Sequence, residues 1–431
     1  MKNIVTFLLS ILVFTAVAQT KSIQQSPPLT TASATRVGMS AERLDRIDGM
    51  LNEAIEKNEI PGAVALVARN GKIIYQKAFG MSDIESERAF KVDDVFRLAS
   101  QTKAITATAV MILWEEGKFR MDDPISKYIP EFAAAQLLDS FIEKDSSYTT
   151  IAASKQMTIR HLITHTSGIG YGGIDRDKRF TKIYKKAGII DGFSTAPETI
   201  KENIQKLAKL PLHFNPGEQY SYSLGYDVLG YFVEVMSGMS LDQFFKERIF
   251  NPLDMKNTWF YMPQSEADRL VPLYTKNKEK KWIKMPPVAG IDASFPIHGA
   301  RTYFSGGAGL SSTAKDYATF LQMYLNNGEL NGIRLLSRTT VQFMMGNQIG
   351  DLWGDQGEYY GLAFGVLDQK GANMGGRGSL GTFEWAGFFN TEYFADPKEQ
   401  IIGILMKQTL YSGADNTDWK FQQLVGQAVD D

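Results

Sequence analysis

Stretches that read as β-strands lie near both ends of this chain, and the sequence between them reads mostly as helix. Near the start, residues 62–68 and 73–79 are apolar runs joined by Asn70-Gly71. Asn-Gly accepts the positive φ angles that a two-residue hairpin turn demands. Near the end, 362–367, 382–389, 391–396 and 401–407 read as strands, with turns at Asn390 and at Asp396-Pro397-Lys398. Strands so far apart in sequence share one core only by pairing into a common sheet built from both ends. The helical middle is then an insertion. The expected fold class is α+β: an antiparallel sheet flanked by helices, with a mostly helical inserted lobe. The sequence shows no internal repeat.

The helices are marked by their own periodicity. Ser40 is placed to start one, with Leu44, Ile47, Leu51 and Ile55 at helical spacing. Residues 100–116, closed by Gly117, are apolar nearly all round at Ile105, Ala109, Val110, Ile112 and Leu113. A helix without a polar face belongs in the interior. Further helices are expected at 312–326 and 415–428. Segment 131–157 is polar and irregular and reads as a surface insertion. Residues 19–37, rich in Ser, Thr, Gln and Pro, read as a flexible, solvated leader.

The first residues have an export pattern. Lys2 precedes an apolar run over 4–18, and Ala16-Val17-Ala18 has the small-x-small form of a signal-peptidase site. The run is shorter than the ~20 residues needed to span a bilayer. A signal peptide over 1–18, cleavage after Ala18 and a periplasmic product without a membrane span are therefore expected. Composition narrows the chemistry. The 431 residues include no Cys, which excludes disulfides, thiolate metal sites, iron–sulfur clusters and a cysteine nucleophile. With 46 Lys and Arg against 48 Asp and Glu, nothing points to a nucleic-acid partner. No cofactor is called for, and the sequence does not speak to oligomeric state.

Three segments carry chemistry. In Phe96-Arg97-Leu98-Ala99-Ser100-Gln101-Thr102-Lys103, Ser100 and Lys103 lie one turn apart on one helix face. A Ser at a helix start sits near unpaired N–H groups, and a partly desolvated Lys can serve as its base. Ser-x-x-Lys arises by chance about once or twice in a chain of this size, and a second instance, Ser312/Lys315, reads as an N-cap. Ser100 differs because its helix is buried. The second segment is Tyr220-Ser221-Tyr222-Ser223-Leu224 after Pro216-Gly217. A Tyr hydroxyl near a Lys can shuttle a proton, although spacing alone favours ordinary packing rings. The third is Glu384-Trp385-Ala386-Gly387-Phe388-Phe389. Gly387 would allow close backbone approach, and edge N–H groups there could face an oxyanion. By itself it is also an ordinary strand glycine.

In this order the three segments resemble the serine β-lactamase and penicillin-binding-protein superfamily. The resemblance is to the branch holding class C β-lactamases, D-peptidases and family VIII carboxylesterases. It is reinforced by Leu162-Ile163-Thr164-His165-Thr166-Ser167-Gly168, by Asp227-Val228-Leu229-Gly230 and by Gly306-Gly307-Ala308-Gly309. It implies a sandwich lobe, here 38–108 and 300–431, a helical lobe over 109–299, and a site between them. It also implies roles: Ser100 as acyl-forming nucleophile, Lys103 as its activator, Tyr222 as proton relay. The N–H groups of Ser100 and Phe388 would form the oxyanion hole, and Trp385 and Gly387 would bind substrate.

The departures bear on substrate. Class C enzymes have Tyr-x-Asn where Leu224 stands here, and Lys-Thr-Gly where Trp385-Ala386-Gly387 stands. The missing Lys would hold the carboxylate of a penicillin or a D-Ala-D-Ala peptide. Trp-x-Gly resembles the family VIII esterases, and Phe388 and Phe389 suit a neutral acyl or aryl group. The expectation is a small-molecule ester substrate. The alternatives are an amide (β-lactam or cell-wall peptide) or an inactive binding protein. His161 and His165 are spaced i, i+4, but no Glu completes a metalloprotease pattern. A structural role is expected for both, and no metal.

Overall fold

The computed structural model describes residues 20–288, 290–410, 413 and 415–431. The expected signal peptide lies outside the described residues. The strands from the two ends do pair. With β1 as Thr30–Thr31, β2 as Gly62–Arg69, β3 as Lys72–Asp83, β4 as Glu358–Tyr360, β5 as Gly365–Leu367, β6 as Phe383–Gly387, β7 as Thr391–Asp396 and β8 as Ile401–Met406, the order is β1-β3-β2-β8-β7-β6-β5-β4. The short strand Arg88–Ala89 adds to β3, making nine. The β8–β2 pair, Ile401↔Arg69 through Met406↔Val64, is the seam between the two ends of the chain.

Both faces of this sheet are covered, which is why β8, and β2 up to its last residue Arg69, are apolar rather than alternating. Ala63, Ala65, Val67, Ile401 and Leu405 pack against helix α1 (Arg46–Glu56) and the C-terminal helix Thr417–Gly426. Their neighbours Val64, Leu66, Ala68, Ile402, Ile404 and Met406 point the other way, into the main core. That core also takes α2 (Thr102–Glu115), α3 (Gly225–Ser237) and α4 (Ala314–Leu325). Every residue of α2 from Thr102 to Leu113 is buried, as its all-round apolar pattern predicts. Its threonines find internal partners: Thr106 Oγ1 donates to Gly306 O at 2.6 Å, Thr108 Oγ1 to Ala104 O at 2.8 Å, and Thr102 Oγ1 accepts Leu310 N–H.

Several expectations change. The 108/109 lobe boundary falls inside the continuous α2, and one core runs through both lobes. The segment expected to be irregular at 131–157 contains a hairpin, Gln136–Ile142 with Ser147–Ala152. The ribbon is largely open to solvent, with Leu137, Leu138, Phe141 and Tyr148 resting on the main core, and its residues do not strictly alternate, so composition hides the strands. The leader expected to be solvated instead lies against the body. β1 runs parallel to β3 through Thr30↔Lys72 and Thr31↔Ile73, and Leu29 enters the main core. Ser26 N–H donates to the buried Glu329 carboxylate, and Ser22 N–H to Gly332 O at 2.9 Å. A Pro- and Ser-rich strand needs no ladder on its outer side, so it serves at a sheet edge.

Candidate active site

The chain reaches Ser100 through a strand, a strained turn and a helix. Phe96–Arg97 pairs with Ser311–Ser312, and Leu98 N–H donates to Leu310 O at 2.8 Å. Ala99 then takes φ +46°, a left-handed value for a residue with a Cβ. Such a conformation costs ~1–3 kcal/mol and survives only where the surroundings enforce it. Here they do: Ala99 is fully buried, and Tyr317 Oη holds Gln101 O at 2.9 Å. The turn delivers Ser100 to the mouth of α2, where it lines a cavity of ≈ 1430 Å³.

Lys103, one turn further, is buried beneath Ser100. Its Nζ donates to Gly307 O at 2.8 Å, to Tyr171 Oη at 3.2 Å and to Ser100 Oγ at 3.3 Å. It also lies 4.6 Å from the centre of the Tyr222 ring. The Gly307 contact is possible because that residue is glycine: a Cβ would stand 2.7 Å from Asp227 Oδ2. Asp227, in the first turn of α3, is wholly buried. Burial pushes its carboxyl upward, against the pull of a Ser305 hydrogen bond and the Lys103 charge.

Two tyrosines face this pair. Tyr171 and Tyr222 stack at 5.2 Å with planes 12° apart. Burial, then Tyr222, Asp227 and Asp191, push the Tyr171 hydroxyl well above its ordinary range, so it remains protonated. The buried Tyr222 hydroxyl makes no hydrogen bond among the described residues. The Tyr222 loop is shaped by His165. The His165 Nδ1 accepts Ser223 N–H at 3.1 Å, and its backbone turns at φ +57°. Burial, helped by Lys103, holds its pKa well below 6.5, so the ring stays neutral. His161 Nδ1 is taken by Thr158 N–H in the capping box of helix Ile159–Ile163. His213 stacks on Phe180 and meets Asp175 at 3.0 Å.

Strand β6 closes one side of the cavity. A Cβ at Gly387 would collide with the Leu98 carbonyl oxygen, so only glycine lets this strand approach the Ser100 turn. The ladder ends at Gly387↔Thr391, and Phe388 follows directly. Trp385 lies 5.9 Å from Tyr222 and 5.5 Å from Tyr360, forming an aromatic wall with Trp353. Leu224 buries its side chain in the main core rather than in the cavity.

The cavity therefore gathers Ser100, Tyr222, Trp385, Gly387 and Phe388, with Lys103 just below. Ser312 and Lys315 separate. Ser312 lies in a strand against Thr258, Lys315 is exposed, and the helix cap expected of Ser312 is supplied by Thr313. Sequence reading missed Tyr171, Asp191, Phe193 and Trp353 in the cavity lining. Tyr171 could have been found: it stands three residues beyond the His-Thr-Ser-Gly turn, between Gly170 and Gly172. The other three carry no local signal.

Known proteins agree with this architecture. The Beta-lactamase family model matches residues 47–427. Esterase EstB of Burkholderia gladioli is 32% identical over 379 residues, covering 85% of this chain and 91% of its own. Lovastatin esterase of Penicillium rubens is 27% identical over 380 residues, 83% of this chain and 91% of its own. Among solved structures, EstCE1, described as a hydrolase with promiscuous acyltransferase activity, superposes with a TM-score of 0.72 at 27% identity. It covers 90% of this chain and 99% of EstCE1.

Proposed function

The chain belongs to the β-lactamase family of serine hydrolases, and from that premise we propose that it is an esterase working through an acyl-Ser100 intermediate. The observation that carries this reading is the Ser100–Lys103 contact at 3.3 Å on the cavity floor, with Trp385 where a carboxylate-binding Lys would stand. Lys103 takes the Ser100 proton as Oγ attacks the ester carbonyl. Charge develops on the carbonyl oxygen, which the Ser100 and Phe388 N–H groups receive. As the C–O bond to the alcohol breaks, the unpartnered Tyr222 hydroxyl gives its proton to the departing oxygen and regains one from Lys103, which returns to its starting form. Tyr171 holds Lys103 in place. Water then repeats the sequence on the acyl-enzyme. Trp385, Trp353 and Phe388 supply the apolar surface that an acyl or aryl group needs.

The likeness to Esterase EstB at 32% identity supports ester substrates, whereas a putative D-alanyl-D-alanine carboxypeptidase of Escherichia coli is matched at the same 27% identity as lovastatin esterase. One observation favours a second reading: Lys185, exposed at the cavity rim, is a cation that could receive the carboxylate of a β-lactam or peptide. We also propose export with cleavage after Ala18; an exported product whose mass begins at Gln19 tests that.

The test is hydrolysis of p-nitrophenyl butyrate by residues 19–431 beside the Ser100→Ala variant. Turnover that vanishes in a variant of unchanged Tm is the expected result. Turnover retained by the variant overturns the assignment of Ser100. Inactivity in both, with stoichiometric labelling of Ser100 by a penicillin, establishes the second reading instead.

A further inference from the structure

Asp191 presents a carboxyl group to the same cavity as Ser100, and no side chain among the described residues answers it. It makes no ion pair and no side-chain hydrogen bond to another residue among the described residues. Its placement is firm. The preceding Ile190 is clamped at both backbone groups by the fully buried Asn203, whose Oδ1 accepts Ile190 N–H at 3.0 Å and whose Nδ2 donates to Ile190 O at 2.7 Å. On the other side Phe193 packs on Phe388 and Phe389. The carboxyl is thus held on a fixed loop between the Tyr171 turn and the apolar wall.

The cavity as a whole is acidic. Six carboxyl groups line it against two cations, Lys185 and Arg377. Arg377 is already engaged by Glu358 at 2.6 Å and by Glu384. Asp292, whose N–H donates to Phe193 O at 2.8 Å, has its carboxylate occupied by Ser294 and Thr195. Asp191 combines a clamped backbone with a carboxyl free of protein partners among the described residues; Asp418, the other lining carboxyl with an unpartnered oxygen, stands in the first turn of the C-terminal helix.

We propose that Asp191 is the anchor for a substrate cation, so that the enzyme prefers esters whose acyl or alcohol part carries an ammonium group. The inference rests on the esterase reading of Ser100 and narrows its substrate class. A cation entering this cavity replaces its lost water shell with a fixed carboxylate, whereas a neutral isostere gains nothing there. An anionic substrate meets repulsion at the same point. The groups facing Asp191 are Asp227 of α3, Tyr171 and Tyr303, with Lys185 on the helix before it. Burial first, and Asp227 second, push the Asp191 carboxyl up to about 7. Its charge, and with it the preference for a permanent cation, therefore grows as pH rises through neutrality.

The experiment compares isosteric pairs within each enzyme. 2-(Trimethylammonio)ethyl butyrate is set against 3,3-dimethylbutyl butyrate for the alcohol side. p-Nitrophenyl 6-aminohexanoate is set against p-nitrophenyl heptanoate for the acyl side. In the wild type, kcat/KM for the cationic member of one pair is expected to be ~10–100-fold higher. The ratio should rise from pH 6 to 8, fall close to 1 in Asp191→Asn and partly persist in Asp191→Glu. A ratio unchanged by Asp191→Asn, or near 1 in the wild type for both pairs, overturns the proposal. Binding of the same esters to Ser100→Ala, with and without Asp191→Asn, is measured calorimetrically and needs no turnover. A cation preference there that depends on Asp191, in an enzyme that hydrolyses no ester, would refute the esterase reading while retaining the anchor.

Discussion

Two tyrosines of identical chemistry differ here by what their hydroxyls touch. Tyr171 Oη is bound by Lys103, whereas Tyr222 Oη is buried without a partner among the described residues. A buried hydroxyl left unsatisfied is costly unless a substrate group completes it. Tyr222→Phe is therefore expected to lower kcat by ~10²–10⁴-fold, the loss of a proton relay. Tyr171→Phe removes one supporting hydrogen bond and should cost ~10-fold. Steady-state kinetics on p-nitrophenyl butyrate decide; the reverse order of effects would make Tyr171 the relay. The sequence names Tyr222 only through its resemblance to a family, since spacing alone favours a packing ring. Tyr171 escaped because its reach to Lys103 depends on a turn 68 positions away in the chain.

At the scale of elements, the site depends on one close approach. β6 passes the Ser100 turn so tightly that Gly387 has no room for a methyl group beside the Leu98 carbonyl. Gly387→Ala should push the strand outward and move the Phe388 amide away from Ser100. A displacement on the order of 1 Å is enough to cost ~10²-fold in rate. The check is kcat/KM against Tm: kcat/KM should collapse while Tm falls by only a few degrees. Equal activity would show that β6 does not set the site. The elements themselves were largely legible. Asn70-Gly71 turns the β2–β3 hairpin, and Ser40 caps a helix by accepting Arg43 N–H, although the one helix expected to run on to Ile55 is divided into Ala41–Leu44 and α1. The hairpin at 136–152 was not legible, because polar and apolar residues do not alternate along this largely exposed ribbon.

Across the whole molecule, the N-terminal segment is a strap rather than a tail. It covers the edge of β3 and brings Ser26 to the buried Glu329, which also accepts Gly332 N–H. A chain beginning at Ser33 loses the β1 pairing and the Leu29 contact, a side chain whose burial contributes ~1.5–3 kcal/mol. Thermal unfolding should then begin several degrees below that of a chain beginning at Gln19; coincident curves would return the segment to a solvated leader.

What the sequence by itself determined follows from short range. Turn chemistry, caps and apolar periodicity act within a few residues, so the hairpin, the buried α2 and the late strands could be read from residue order. The Ser-x-x-Lys pair belongs to the same class, because helical geometry alone sets its spacing. Only the tertiary structure decided which of two such pairs meets a cavity, which tyrosine meets Lys103, and that Asp191 lines the same cavity as the nucleophile. Those facts depend on contacts between residues tens to hundreds of positions apart. Such contacts are fixed by packing one shared core, and no local pattern records them.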